Sequence, residues 1–279
     1  VPSPVNTVAD APSMQPIGVF DSGVGGLTVA AALRRRLPSE KLLYLGDLAR
    51  LPYGTKSPST VVRYACNAAD FLAARGIKML VVACNTASAH ALDALAAAHA
   101  GLPVLGVVEA GAAAAARLSV SGRIVVAATE GTCRSGAFAR AIQARRPEAR
   151  VEQVPCPMFV ALAEEGLTDG PIAEDMVRHY LEDYFQGPDA ADCLVLGCTH
   201  FPLLAGALRR VLGERVVLVD CAEAVAAQAA AELAGQSLSA AGDGGLSLIA
   251  TDAPDRFARI ATRLFPALGP VPEVELANL

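Results

Sequence analysis

The chain has 279 residues, more than one hydrophobic core of ordinary size usually serves, so two domains are expected. An apolar fraction of 53% and a mean hydropathy of +0.40 are ample for large buried sheets. A net charge of −5, with no basic cluster beyond Arg34-Arg35-Arg36, argues against nucleic acid as the primary ligand.

Residues 1–16 mix Pro, Ser, Asp and Asn, with neither a basic start nor an apolar segment, and read as a flexible tail rather than a signal peptide. From Ile17 onward, short apolar runs alternate with Ala-rich segments of helical period. The expected strands are Ile17–Phe20, Lys41–Gly46, Met79–Ala83, Val104–Val108, Ile124–Ala128, Arg150–Val154, Leu194–Gly197, Val216–Val219 and Leu246–Ala250. The helices expected between them include Leu27–Arg36, Ser59–Ala74, Ala87–Ala98, Gly111–Leu118, Ala137–Arg145, Ile172–Phe185 and Ala222–Ala234. That alternation implies βαβ units and an α/β protein with mainly parallel sheets. The most apolar run, Leu102 to Ala116, is broken by Pro103, Glu109 and glycines, which excludes it as a membrane span. A soluble, cytoplasmic protein is expected. Its seven cysteines are expected as reduced thiols, and no His/Cys cluster has metal-ligand spacing.

An internal echo organises the chain. Leu80–Thr86 (LVVACNT) resembles Leu194–His200 (LVLGCTH), and Ile17–Gly23 (IGVFDSG) resembles Ile124–Gly131 (IVVAATEG) at a similar offset. Two related α/β halves explain both matches. The first is expected to comprise 17–108 with 221–279, the second 109–220, with Leu246–Phe265 added to the first. Ligands of open α/β sheets sit beyond the carboxyl ends of strands, so the active site is expected in the cleft between the halves.

Cys84 ends an apolar strand, where backbone N–H groups and the positive end of the next helix would lower its pKa; Thr86 is expected to cap that helix. A cysteine in such a chain ordinarily packs as a small hydrophobe, the reading given to Cys66, Cys133, Cys156, Cys193 and Cys221. Cys84 and Cys198 differ because they hold the same place in two echoing units. Two thiols facing one small site suit inversion of a tetrahedral carbon. One removes a proton from one face, and the other supplies a proton to the opposite face. Asp21-Ser22-Gly23 follows the first strand and lacks the lysine of a phosphate loop. His200, two residues after Cys198, could orient that thiol or cap a helix. Glu164 and Glu165 read by default as a solvated helix face. Lys41, Lys56 and Lys78 all lie where solvated lysines flank strands or loops, so nothing invites a pyridoxal cofactor.

Seven segments together resemble the bacterial glutamate racemases: Ile17–Thr28 (IGVFDSGVGGLT), Tyr44–Thr55 (YLGDLARLPYGT), Val82–Ala89 (VACNTASA), Gly106–Gly111 (GVVEAG), Ala128–Thr132 (ATEGT), Cys156–Gly166 (CPMFVALAEEG) and Leu196–Leu204 (LGCTHFPLL). The resemblance implies two pseudo-twofold-related α/β domains and a cofactor-independent racemase with glutamate as substrate. It makes Cys84 the acid/base residue acting on D-glutamate and Cys198 the one acting on L-glutamate. Asp21 would assist Cys84, and His200 with Glu164 would assist Cys198. Asp21, Ser22, Tyr53, Gly54, Asn85, Thr86, Thr199 and His200 would contact the substrate. It further implies a homodimer, no cofactor or metal, and a product destined for peptidoglycan. Some relatives are associated with gyrase inhibition, a role no feature of this sequence supports. Ala110, Ala161 and Phe138 depart from the residues usual in the family, and none is a proton carrier. A racemase of another small amino acid such as aspartate, and a non-catalytic amino-acid-binding or regulatory protein, are the alternative readings.

Overall fold

The structure, a computed structural model, describes residues 12–279. In chain order its strands are β1 (Ile17–Asp21), β2 (Lys41–Gly46), β3 (Met79–Val82), β4 (Val104–Gly106), β5 (Arg123–Ala128), β6 (Arg150–Pro155), β7 (Cys193–Gly197), β8 (Val217–Asp220), β9 (Gly245–Ala250) and β10 (Val274–Leu276). The helices are α1 (Leu27–Arg36), α2 (Pro58–Ala73), α3 (Asn85–Ala98), α4 (Val107–Leu118), α5 (Glu130–Ser135), α6 (Ala137–Arg145), α7 (Pro157–Glu165), α8 (Pro171–Leu181), α9 (Ala205–Leu212), α10 (Cys221–Gly235) and α11 (Pro254–Leu264).

All strand pairings are parallel, and they form two sheets with orders β10-β9-β2-β1-β3-β4 and β6-β5-β7-β8. Four strands of the first sheet, β2-β1-β3-β4, repeat the order of the second, and β9 and β10 extend its β2 edge. The echo in the sequence is therefore an echo of topology. Each four-strand unit reverses direction of winding between its first and third strands, where the crossover helices leave to opposite faces and open a crevice. The central strands β1, β3 and β7 are buried at every position because helices cover both faces. Edge strand β6 instead alternates exposed and inward residues over Arg150–Gln153. Alanines at helix–sheet and helix–helix contacts, Ala30, Ala32, Ala65, Ala68, Ala226 and Ala229 among them, are fully buried and allow close approach.

The segment Val104–Val108 departs from expectation. Gly106 is the last extended residue, and Val107 and Val108 already lie in the first turn of α4, which has Glu109 near its positive end. Thr86 is likewise inside α3, and the cap is Cys84 itself, whose sulfur accepts from Ala87 N at 3.5 Å. No helix among the described residues is long and apolar enough to cross a membrane.

Lys78 is not solvated. Its ammonium lies 2.6 Å from Glu40 Oε2 with both side chains almost fully buried, and it donates to the carbonyls of Ser13 and Leu238 at 2.6 and 2.7 Å. Glu40 Oε1 accepts from Ala240 N at 2.8 Å. The pair thus ties together the turn before β1, the entry to β2, the start of β3 and the approach to β9. Of the expected tail, residues 1–11 lie outside the described residues, whereas Pro12–Met14 form a 3-10 turn held by this lysine. Removing one member of a buried pair strands the other charge at a cost of about 3–5 kcal/mol. Lys78→Met should accordingly lower unfolding free energy by about that amount in urea titration, and adding Glu40→Gln should recover part of the loss. A Lys78→Met protein as stable as the parent would show that the pair contributes nothing net.

Candidate active site

A cavity of about 340 Å³ opens at the carboxyl ends of both sheets' central strands. The first half contributes Ser22 and Gly23 after β1, the Leu51–Thr55 loop after β2, and Cys84, Asn85 and Thr86 after β3. The second half contributes Thr129 and Glu130 after β5, Pro157, Val160, Ala161 and Glu164 from α7, and Cys198, Thr199 and His200 after β7. Ten of the eleven expected site residues therefore line one space. Asp21 stands just behind it, 1% exposed. Thr129 and Glu130 were not among the expected contacts, although the internal echo places them opposite Asp21-Ser22. Among the described residues, no lysine or arginine lines the cavity.

Cys84 lies at the N-terminus of α3, with Sγ 3.5 Å from Ser22 Oγ and 3.5 Å from Ala87 N. Burial dominates over these bonds, and the charge of Asp21 acts in the same direction, so the thiol is pushed up to about 12. The lowering expected from the helix end is present but outweighed. Asp21 Oδ2 accepts from Gly23 N and Gly26 N at 3.0 and 3.1 Å, while its Oδ1 is buried without a partner. Burial raises the Asp21 carboxyl against the opposing effects of His200 and those backbone N–H groups. Its influence on Cys84 is through charge, since that thiol donates to Ser22 Oγ and accepts from Ala87 N, not from Asp21.

Cys198 follows β7, the topological counterpart of β3. His200 Nδ1 lies 3.8 Å from its sulfur, and His200 Nε2 lies 3.5 Å from Glu164 Oε1, at ion-pair distance but without hydrogen-bond alignment. Burial lowers the imidazole's pKa. The contacts with Cys198 and Glu164 outweigh it, together with the charges of Cys198 and Asp21, and raise the value to about 10. Contact with His200, reinforced by Arg256, holds the Glu164 carboxyl below its usual range despite partial burial. Glu164 is thus half-buried and turned to the site, while Glu165 is exposed on the solvated face.

Tyr53 and Gly54 are placed by the loop after β2. The Tyr53 hydroxyl donates to the fully buried Asp47 at 2.6 Å, and Asp47 also accepts from Thr251 Oγ1 at 2.8 Å. Thr86 Oγ1 stands 3.0 Å from Thr129 Oγ1 and 3.1 Å from Thr132 Oγ1, joining the halves beside the cavity. The hydroxyls, amide and backbone N–H groups gathered here can hold carboxylates without a fixed cation. The other five cysteines lie outside the cavity lining, and all seven are free thiols. The described residues contain no group of three or more His, Cys, Asp or Glu disposed to hold a metal.

Ala161 lies on the cavity wall, Ala110 is buried in the first turn of α4, and Phe138 is fully buried in α6. The Phe138 ring fills the space beside Gly197, where an added Cβ would meet it at 3.2 Å. The strand end that delivers Cys198 is therefore packed by an apolar ring.

The sequence model of the family described as Asp/Glu/Hydantoin racemase matches residues 27–229. A glutamate racemase of Geobacter metallireducens is 48% identical over 263 residues, covering 93% of this chain and 96% of that protein. The glutamate racemase of Thermus thermophilus, solved in complex with β-chloro-D-alanine, is 43% identical with a TM-score of 0.85 and covers 96% of this chain and 98% of its own. That of Francisella tularensis, solved in complex with D-glutamate, is 33% identical with a TM-score of 0.87, covering 95% and 98%. The chain therefore belongs to the Asp/Glu/Hydantoin racemase family of isomerases, and it is glutamate racemases that it matches along nearly its whole length.

Proposed function

We propose that this protein interconverts L- and D-glutamate by moving the α-proton between Cys198 and Cys84. The observation that carries the reading is that two thiols, at equivalent strand ends of two repeated sheets, line the same cavity. In the L-to-D direction the Cys198 thiolate takes the α-proton, and the electron pair delocalises into the substrate carboxylate. The Cys84 thiol then delivers its proton to the opposite face of the carbon. The product is D-glutamate, with Cys84 left as thiolate and Cys198 as thiol, and the D-to-L reaction runs the same steps backward.

The surroundings suit those roles. A thiol held up to about 12 is a proton donor at neutral pH, which is what Cys84 must be when L-glutamate binds. The imidazolium of His200 faces the sulfur that carries negative charge in the same state. Ser22, Tyr53, Gly54, Asn85, Thr86, Thr199 and His200 are proposed to hold the substrate, with Asp21 assisting Cys84 through its charge. Supply of D-glutamate to peptidoglycan, a cytoplasmic location, homodimeric assembly and the domain division 17–108 with 221–279 against 109–220 belong to the same proposal. They rest on the resemblance of the chain to its relatives.

Purified protein should racemise glutamate in EDTA and without added pyridoxal phosphate. Activity that appears only on adding a metal or pyridoxal phosphate would overturn the cofactor-free reading. Loss of optical activity should be seen with glutamate and not with aspartate; equal turnover of aspartate would move the assignment to the alternative substrate.

Replacing either thiol by serine raises the pKa of the transfer group far above neutrality, so Cys84→Ser and Cys198→Ser should each lower racemisation by about a thousandfold or more. In D₂O each variant should still exchange the α-hydrogen of one enantiomer without inverting it. Cys84→Ser should favour L-glutamate and Cys198→Ser D-glutamate. A shared preference, or parent-like racemisation by either variant, would place the thiols wrongly.

The pH dependence follows from His200. Its folded-state pKa of about 10 lies above the ordinary 6.5, so the stabilisation drawn from the charged ring is complete below pH 6.5 and lost as pH rises through 10. Activity that needs the imidazolium should fall on an alkaline limb near that pH. Glu164→Gln removes a partner of the charged ring, so the limb should move to lower pH and kcat should fall about tenfold. A limb that stays in place in Glu164→Gln would show that Glu164 does not support the imidazolium.

A further inference from the structure

Helix α7, which carries Glu164, ends in a Schellman motif. Leu167 N donates to Leu162 O at 2.8 Å and Gly166 N to Ala163 O at 3.1 Å, with Gly166 at φ +77°, a conformation glycine adopts without strain. This closure leaves the Glu164 carbonyl unused. That carbonyl accepts from Arg263 Nη2, and the same guanidinium lies 3.7 Å from where a Cβ on Gly166 would stand. A cation at the last turn of a helix also offsets the negative end of its dipole.

Arg263 comes from the other half of the protein. It lies in the last turn of α11, whose Phe257 is fully buried against Tyr44, with ring centroids 5.9 Å apart. Tyr44 in turn donates to Gly23 O at 2.8 Å, on the loop that leads from Asp21 into the cavity. Arg256 lies seven residues before Arg263, two helical turns along the same face. Its charge reinforces that of His200 in keeping Glu164 ionised. The chain of contacts therefore runs from the first half's core through Arg263 to the end of α7, and from Glu164 through His200 to the Cys198 sulfur.

We propose that Arg263, supported by Arg256, is a positioning residue that fixes the end of α7 from the opposite half and so sets the rate of proton transfer at Cys198 but not at Cys84. The inference rests on the two-thiol reading above. An equilibrium constant of one obliges kcat/KM to be equal in the two directions, so a change at one thiol cannot appear as a one-sided loss of efficiency. It appears in isotope effects. When the Cys198 step slows, abstraction of deuterium from α-deuterated L-glutamate becomes more fully rate-limiting. Abstraction from α-deuterated D-glutamate at Cys84 becomes less so.

The test is Arg263→Met in the full chain, with Arg263→Lys as the charge-keeping variant. Loss of one charge-assisted hydrogen bond should lower kcat/KM about three- to tenfold in both directions. The isotope effect on kcat/KM should rise for L-glutamate and fall for D-glutamate, and Arg263→Lys should restore both toward the parent. Arg256→Gln, at an exposed site, carries the same expectation in smaller measure and serves where Arg263→Met does not fold. Isotope effects that stay at parent values or move in parallel would overturn the proposal, since a merely structural loss slows both steps alike. A parent protein that does not racemise glutamate would overturn the two-thiol reading itself and this inference with it. Parent activity with unsplit isotope effects overturns the inference alone.

Discussion

Residues of two sheets can line one cavity only if the loops that carry them come close together, and here that closeness depends on side chains that are missing. A Cβ on Gly25 would stand 2.4 Å from Thr199 Oγ1 and 2.6 Å from the His200 ring. One on Gly54 would stand 2.8 Å from Thr129, and one on Gly131 would stand 2.7 Å from the Gly54 carbonyl. These three glycines occupy the seam between the halves, on both sides of the cavity. Any other residue there would hold the halves apart by about a methyl group's width, and transfer distances tolerate little of that. Gly26 plays a related part within the first half, bringing its backbone N–H onto Asp21 where a side chain would strike that carboxylate and Tyr44. The β-strands fix where each loop starts, and the glycines fix how near the loops come.

Much of this was legible in the amino-acid sequence, because buried parallel strands are continuous apolar runs and their ends are marked by small polar residues. Lys41–Gly46 and the helices Leu27–Arg36 and Ala137–Arg145 fall where the apolar periodicity places them. The repeated Cys-Asn-Thr and Cys-Thr-His segments mark equivalent strand ends. Other features depend on tertiary context. The strand Val274–Leu276 is three residues long and is defined only by its pairing with β9. Val107 and Val108 have the composition of a strand, yet Ser88 Oγ accepts from Val108 N at 3.2 Å and draws the segment into a helix start. Lys78 sits at a strand entrance where lysines are usually solvated, and nothing local announces that Glu40 and two distant carbonyls enclose it. Helix α7 carries local signals, Pro157 at its first turn and Gly166 beyond its last, around an apolar run that ends in Glu164 and Glu165, which read as a solvated helix face.

The topology repeats, but the electrostatics does not. Cys84 caps its own helix and is flanked by Ser22 and the Asp21 carboxylate, all within the first half. Cys198 precedes a 3-10 turn and faces a histidine whose far nitrogen meets Glu164 on a different helix. One thiol therefore sits beside a carboxylate, the other beside an imidazolium. On the two-thiol proposal Cys84 is the sulfur that bears the proton when L-glutamate binds, as a proton relay across a carbon requires. Asp21 and His200 also feel each other's charge. The two walls of the cavity are therefore linked electrostatically through Asp21 and His200.

That coupling bears on how so apolar a cavity can handle a charged substrate. Cysteine, carboxylate and imidazole are all buried, and each alone would be driven toward its neutral form. The Asp21 carboxyl and the Cys84 thiol both move that way. His200 moves the opposite way because acidic groups surround it, so the site keeps one stable positive charge without an arginine or lysine on its wall. On the proposed two-thiol reaction, a compact imidazolium held 3.8 Å from Cys198 balances negative charge at that sulfur in one half of the reaction and on substrate atoms in the other. A long flexible cation would have to be reoriented between those states, and would bring water with it. The helix that carries Glu164 is thus part of the site, because the Glu164 carboxylate, after the contact with Cys198, is among the groups that keep His200 charged.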